Sequence, residues 1–113
     1  MKPLIWLGSS RADVRRFPAK ARRIAGFQLW RVQLGLSPND WKPMQALGSS
    51  VQEIRIRTGL DHRVLYVAKF AEGVYVLHGF EKRTQKSARR DIEIARKRLS
   101  ELVVERGGVR RHR

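Results

Sequence analysis

Cysteine is absent from this chain, so neither a disulfide framework nor a thiolate metal site is available. Long apolar runs are absent too. The N-terminal patch, Pro3 to Leu7, is far short of the roughly 20 residues of a membrane span and too short for a signal-peptide core. Histidine is scarce, with three scattered residues, and no spacing suggests a metal site. Acidic residues are few: ten Asp and Glu stand against 25 Lys and Arg. These absences exclude a disulfide-stapled secreted scaffold and a membrane-spanning helix. They lead to the expectation of a cytoplasmic protein with no metal and no cofactor.

What remains is a strongly basic single domain. A chain of 113 residues can bury one modest core, and 42% hydrophobic content is ordinary for a globular protein. A formal charge of +15 is not ordinary. Self-repulsion on that scale costs stability and is commonly retained where a polyanion or an acidic partner neutralises it.

Local patterning gives the order β-α-α-β-β-β-α, an α+β fold. Pro3 to Leu7 reads as a short buried strand, stopped by Gly8. Ser9 or Ser10 caps a first helix with Asp13 in its first turn. Pro18 forces a break, and a second helix runs to about Leu34, ended by Gly35. Its apolar residues, among them Ile24, Phe27, Leu29, Trp30, Val32 and Leu34, cover more than one stripe. Leu36 to Ser50 is expected to be a loop. Val51 to Arg57, His62 to Phe70 and Val74 to Phe80, joined by short Gly-containing links, form an antiparallel meander. Ala88 to about Arg106 is the last helix, capped by Ser87, and residues 107–113 form a disordered basic tail beyond the domain of residues 1–106. The sheet is expected to carry the two N-terminal helices on one face and to leave a charged face bearing Glu53, Arg55 and Arg57.

The most informative stretch is Val74 to Ser87, VYVLHGFEKRTQKS. Period-2 alternation puts Val74, Val76 and His78 on one face, and Gly79 is read as breaking the run. The strand delivers a histidine, an aromatic and the cations Lys82, Arg83 and Lys86 to one edge of the domain, a collection suited to a phosphate-bearing ligand.

The runs VQEIRIR, HRVLYVAKF, GVYVLHGFEKRTQKS and DIEIARKRL resemble the HigB-like, phage-derived branch of the RelE/ParE toxin superfamily. The resemblance spans the meander and last helix. It implies a RelE-like fold and a toxin of a type II toxin–antitoxin pair. Such toxins act as ribosome-dependent, metal-independent mRNA endonucleases and are neutralised by a HigA-like helix-turn-helix antitoxin. Carried over position by position, it selects Glu53, Arg55, Arg63, Tyr66, His78, Phe80, Lys82 and Lys86.

RNA cleavage without a metal needs a base for the 2′-hydroxyl, positive charge on the crowded phosphate and an acid for the leaving oxygen. His78, Arg55, Arg63 and Lys82 are the catalytic candidates, His78 for proton transfer and the cations for the phosphate. Arg57, Tyr66, Phe80, Arg83 and Lys86 are the RNA-binding candidates, the aromatics by stacking. Glu53 is expected to orient Arg55. Two readings of His78 stay open, a catalytic one and a hydrogen-bonded histidine half-buried under the last helix. Tyr66 and Phe80 read first as core residues and second as stacking platforms. Two other functions compete with the ribonuclease: a ParE-like toxin acting on DNA gyrase, and a non-enzymatic basic module binding nucleic acid or an acidic protein.

Overall fold

The computed structural model describes residues 1–48 and 50–111, with the backbone alone at 108–111. The chain folds as an α+β unit with a five-stranded mixed sheet in the order β1-β5-β4-β3-β2 and three α-helices. β1 (Leu4–Trp6) lies at one edge, parallel to β5 (Val74–Glu81). β5, β4 (Asp61–Val67) and β3 (Val51–Arg57) form the expected antiparallel meander. The other edge was not foreseen. Trp41–Pro43, inside the segment expected to be a loop, is a short strand, β2, paired with β3, and Gln45–Leu47 is a 3-10 turn. Three residues ending in a proline carry too little alternation to be read as a strand, and an edge is where such a strand is tolerated.

The helices differ from expectation in where they sit. α1 (Ser10–Arg15) and α2 (Ala19–Gln33) cover one face, where Val14, Phe17, Ala25, Leu29 and Val32 pack with Ile54, Ile56, Val64, Tyr66, Val74 and Val76. The second face is not open: α3 (Gln85–Arg111) lies on it, and Ala88, Ala95 and Leu102 join Val51, Leu65, Val67, Tyr75, Leu77 and Phe80 in a separate cluster. Each cluster holds about ten buried apolar side chains, each stabilising by roughly 1.5–3 kcal/mol before entropy is subtracted. The sheet is therefore a buried middle layer, which explains why its three long strands are rich in Val, Ile, Leu and Tyr.

α2 begins after Pro18 and ends at Gln33, and the chain leaves it through Gly35, whose φ of 82° an L side chain rarely adopts. α3 starts three residues earlier than the Ser87 cap implied. Thr84 Oγ1 accepts from the Ser87 N–H at 3.0 Å and the Thr84 N–H donates to Ser87 Oγ at 3.1 Å, a reciprocal capping pair. At its other end the helix runs through Gly107 to Arg111, where a disordered tail was expected; residues 112 and 113 of that tail lie outside the described residues.

Gly79 does not stop β5. The strand continues to Glu81, and the glycine serves close approach instead: a Cβ there would lie 2.7 Å from Val14 Cγ2 and 3.3 Å from Phe17 Cζ. Gly79→Ala is expected to push α1 off the sheet and lower stability by about 1–3 kcal/mol, read as a lower urea midpoint at unchanged slope.

Candidate nucleic-acid interface

The β5 face assignment rests on a bulge. Leu65 pairs with His78 and Tyr66 with Val76, so Leu77 is an extra residue in β5. The extra residue reverses the alternation beyond it. His78 and Phe80 consequently turn to the α3 face, and Gly79 to the α1 face, contrary to the uniform alternation that placed His78 beside Val74 and Val76. On the α3 face the register aligns rows of side chains across three strands. One row is Glu53, Leu65 and His78; the next is Arg55, Arg63 and Phe80; the third holds Arg57 and Asp61.

His78 is buried and both ring nitrogens are engaged. Nε2 lies 2.7 Å from Asp91 Oδ1. Nδ1 lies 3.2 Å from Arg98 Nη1 and 3.6 Å from Asp13 Oδ2. Arg98 has only protons to offer, so Nδ1 accepts there and Nε2–H donates to Asp91. Arg98 also donates to the Leu77 carbonyl at 2.8 Å and to Ser9 Oγ at 2.9 Å, so one guanidinium ties α3 to the bulge and to the start of α1. Phe80 stacks on the imidazole with centroids 5.6 Å apart and is buried. The geometry observed is thus a hydrogen-bonded histidine under the last helix, buried rather than half-buried.

Arg63 is buried as well, and its fork is filled. It donates to Asp61 through Nε at 3.0 Å and Nη2 at 2.9 Å, and through Nη1 to Glu53 at 2.8 Å. Burial works against its charge, but Asp61 and Glu53 outweigh it and raise its pKa. Glu53 therefore orients Arg63, with Lys42 at 3.9 Å, and not Arg55 as expected. Tyr66 is fully buried on the other face, its hydroxyl donating to Gln52 Oε1 at 2.6 Å, and burial pushes its phenol pKa up. Neither Tyr66 nor Phe80 presents a ring to solvent for stacking. His62 is a core residue tilted against Phe17 at 4.5 Å.

The accessible cations lie around this buried pair. Arg55 Nε is 3.2 Å from Asp40 Oδ1, but its N–H is not aimed at the carboxylate, so that buried donor has no acceptor. Arg57 reaches the other oxygen of Asp40 at 3.5 Å and is 60% exposed. Arg83 pairs with Glu81 at 3.0 Å at the surface. Among the described residues Lys82 and Lys86 have no carboxylate within ion-pair distance. The Lys82 N–H donates to the Asp61 carbonyl at 2.7 Å, fixing this lysine at the end of the third row. The structure thus brings Arg55, Arg57, Lys82 and Arg83 to one end of the sheet, with Lys86 on the first turn of α3.

Four residues that shape the site were missed. Asp40 sits in the supposed loop, and Asp61 in a turn. Asp91 and Arg98 lie on the last helix and were given no role. The only available signal was that an aspartate beside Ile92 falls near the apolar stripe of α3.

A hydrogen bond from Arg63 holds the Asp61 carboxyl below the usual carboxylate range; partial burial opposes it, while the charges of Arg63, Arg57 and Lys82 add to it. The contribution of a depressed carboxyl is complete above its unfolded value, near 3.9, and is lost as pH falls through the folded value. The stability gap between the wild type and Asp61→Asn should therefore be flat between about pH 5 and 7 and shrink below about pH 4. Urea denaturation at a series of pH values reads it. A gap unchanged at low pH would remove this ion network from the stability of the sheet end.

Residues 12–100, from α1 to the second half of α3, match the family described as phage-derived proteins of the Gp49-like kind (DUF891). No curated protein is similar enough to count as a match. The matched segment includes the bulged strand, the buried Arg63 network and every cation of the sheet end, and the chain belongs to the Gp49-like family of phage-derived proteins.

Proposed function

We propose that this protein is the toxin of a type II toxin–antitoxin pair and that it cleaves translated mRNA on the ribosome. The family supports a toxin-like reading, and the HigB-like resemblance supplies the finer one. One observation carries the RNA part: a buried, fully paired arginine holds the sheet end in place, and cations that have no carboxylate partner among the described residues, Lys82 and Lys86, lie beside it. Lys82 and Lys86 lack carboxylate partners among the described residues, and Arg55 and Arg57 share the one carboxylate of Asp40. Such groups are positioned to hold a phosphate and to oppose the charge that develops on it during attack by the 2′-hydroxyl. Arg63 supports them from beneath. It keeps Asp61, and with it the backbone of Lys82, in place. His78 enters proton transfer only where substrate binding releases it from Asp91 or Arg98. Cleavage in this reading is metal-independent, and a HigA-like antitoxin is the neutralising partner.

A second reading draws on a specific observation. The engagement of both His78 nitrogens, with Phe80 stacked on the ring, leaves charge as the chief resource of the interface. That favours a basic binding module, or a toxin of the same fold acting on gyrase, over a nuclease. The two readings part on one experiment. Induction of the gene in a bacterium, with primer extension on an abundant message, should show cuts only when that message is translated. Growth arrest with intact mRNA would overturn the nuclease.

Two variants sharpen this. Lys82→Ala should weaken RNA binding whatever the sequence and reduce the slope of log K against log salt by about 1, with the urea midpoint unchanged. His78→Gln should lower stability by about 1–3 kcal/mol through the lost ties to α3. A larger loss of cleavage than of folded protein would assign His78 a chemical role; parallel losses would assign it a structural one.

A further inference from the structure

α2 is apolar on two opposite sides. Its core side carries Ala21, Ala25, Leu29 and Val32. At about 100° per residue, Phe27, Trp30 and Leu34 fall almost diametrically opposite, at the i, i+3, i+7 spacing of a continuous stripe. Core packing does not account for them: Phe27 is 50% exposed, Trp30 45% and Leu34 44%, and Leu36 continues the row at 49%. Phe27 and Trp30 pack on each other with ring centroids 5.9 Å apart, so the stripe is an ordered surface. It runs into an open cavity of about 750 Å³ whose lining is mixed, with Pro3, Leu34 and Leu36 on its apolar side and Lys2, Gln33 and Gln52 on its polar side. Arg23 lies within the stripe, Lys20 and Arg31 along its edge, and among the described residues none of the three has a carboxylate partner.

We infer that Phe27, Trp30, Leu34 and Leu36 form the docking site of an acidic amphipathic helix from another protein, one of whose apolar side chains fills the cavity. The charge decides the occupant. A second copy of this chain would set Lys20, Arg23 and Arg31 against their equals in a molecule already at +15. A helix with apolar residues at i, i+3 or i+4 and i+7, flanked by Glu or Asp, satisfies the stripe, the cavity and the cations together. A lipid surface would satisfy the stripe and the cations but has no shaped group for the cavity. The stripe lies on the α1–α2 side of the sheet and the RNA-facing cations on the other, so the docked helix leaves Lys82 and Lys86 uncovered. The inference deepens the toxin reading, which requires a neutralising protein, yet is tested without reference to nuclease activity.

The test is fluorescence anisotropy of labelled helical peptides of about 18 residues with the full chain. One peptide carries Leu at i, i+3 and i+7 between glutamates, a second replaces Glu by Lys, and a third replaces Leu by Ser. The Leu/Glu peptide should bind, and each of the others at least about tenfold more weakly. The exposed double variant Trp30→Ser, Leu34→Ser should bind the first peptide at least about tenfold more weakly with an unchanged melting temperature. It should also keep whatever effect on mRNA the wild type has, which separates failure of this inference from failure of the nuclease reading. Equal binding of the Ser peptide, or displacement of the Leu/Glu peptide by a single-stranded RNA, would reduce the effect to general polyanion attraction and overturn the proposal. So would Trp30-dependent binding to phosphatidylcholine vesicles containing phosphatidylglycerol, stripe-dependent dimerisation in sedimentation, or no binding of the Leu/Glu peptide at about 100 µM.

Discussion

The single extra residue in β5 governs the rest of the molecule. Without Leu77 in excess, His78 would face α1 and Gly79 would face α3. The glycine would then no longer lie under Val14 and Phe17, and α1 would meet an imidazole where it now meets a bare backbone. The bulge also sends Phe80 to the side on which α3 closes the second core. Arg98 bonds to the carbonyl of the bulged residue itself, so the helix that depends on the bulge also holds it in place. Bulges are expected where a strand must re-aim a side chain, and here the re-aimed chain is the one that anchors the C-terminal helix.

Around that strand the charges divide into two classes. Arg63 and Glu53 are interior, with Asp61 half-exposed at their edge, and removing one member of the buried pair costs about 3–5 kcal/mol because an uncompensated charge is left behind. Lys82, Lys86, Arg57 and Arg83 are peripheral and individually contribute little to stability. The division also shows why listing cations by sequence proximity mixes the two classes: Arg55, Arg57 and Arg63 look alike in a strand pattern, and only the pairing of β3 with β4 and the contribution of Asp61 separate them.

Much of the fold was legible for physical reasons. The meander is written in three alternating runs and two glycine-containing links, and the α1–α2 break in Pro18. What was not legible depended on pairing or on counting. β2 is too short to show a period. The bulge is invisible to alternation, because inserting one residue leaves a run of apolar side chains looking unbroken. Covering the second face with α3 was underestimated, since Glu53 and Arg55 in β3 look like solvent-facing residues until Arg63 is brought opposite them. Within the candidate site, the cations of Glu81 to Lys86 were readable as an exposed segment. The burial of Tyr66 and Phe80 was one of two readings that the strand pattern left open.

The parallel pairing of β1 with β5 sets the order in which the domain can assemble. Leu4 finds its partner at Val74, across almost the whole length of the sheet-forming chain. Closing so long a loop is entropically unfavourable until the antiparallel hairpins exist to receive it, so β1 is expected to dock after the meander has formed. During synthesis the N-terminal residues are therefore made early and remain unpaired, and the sheet edge stays unsealed until β5 has emerged. A chain in that state exposes Ile5 and Trp6 to any neighbouring strand, and the edge is covered only once β5 is in place.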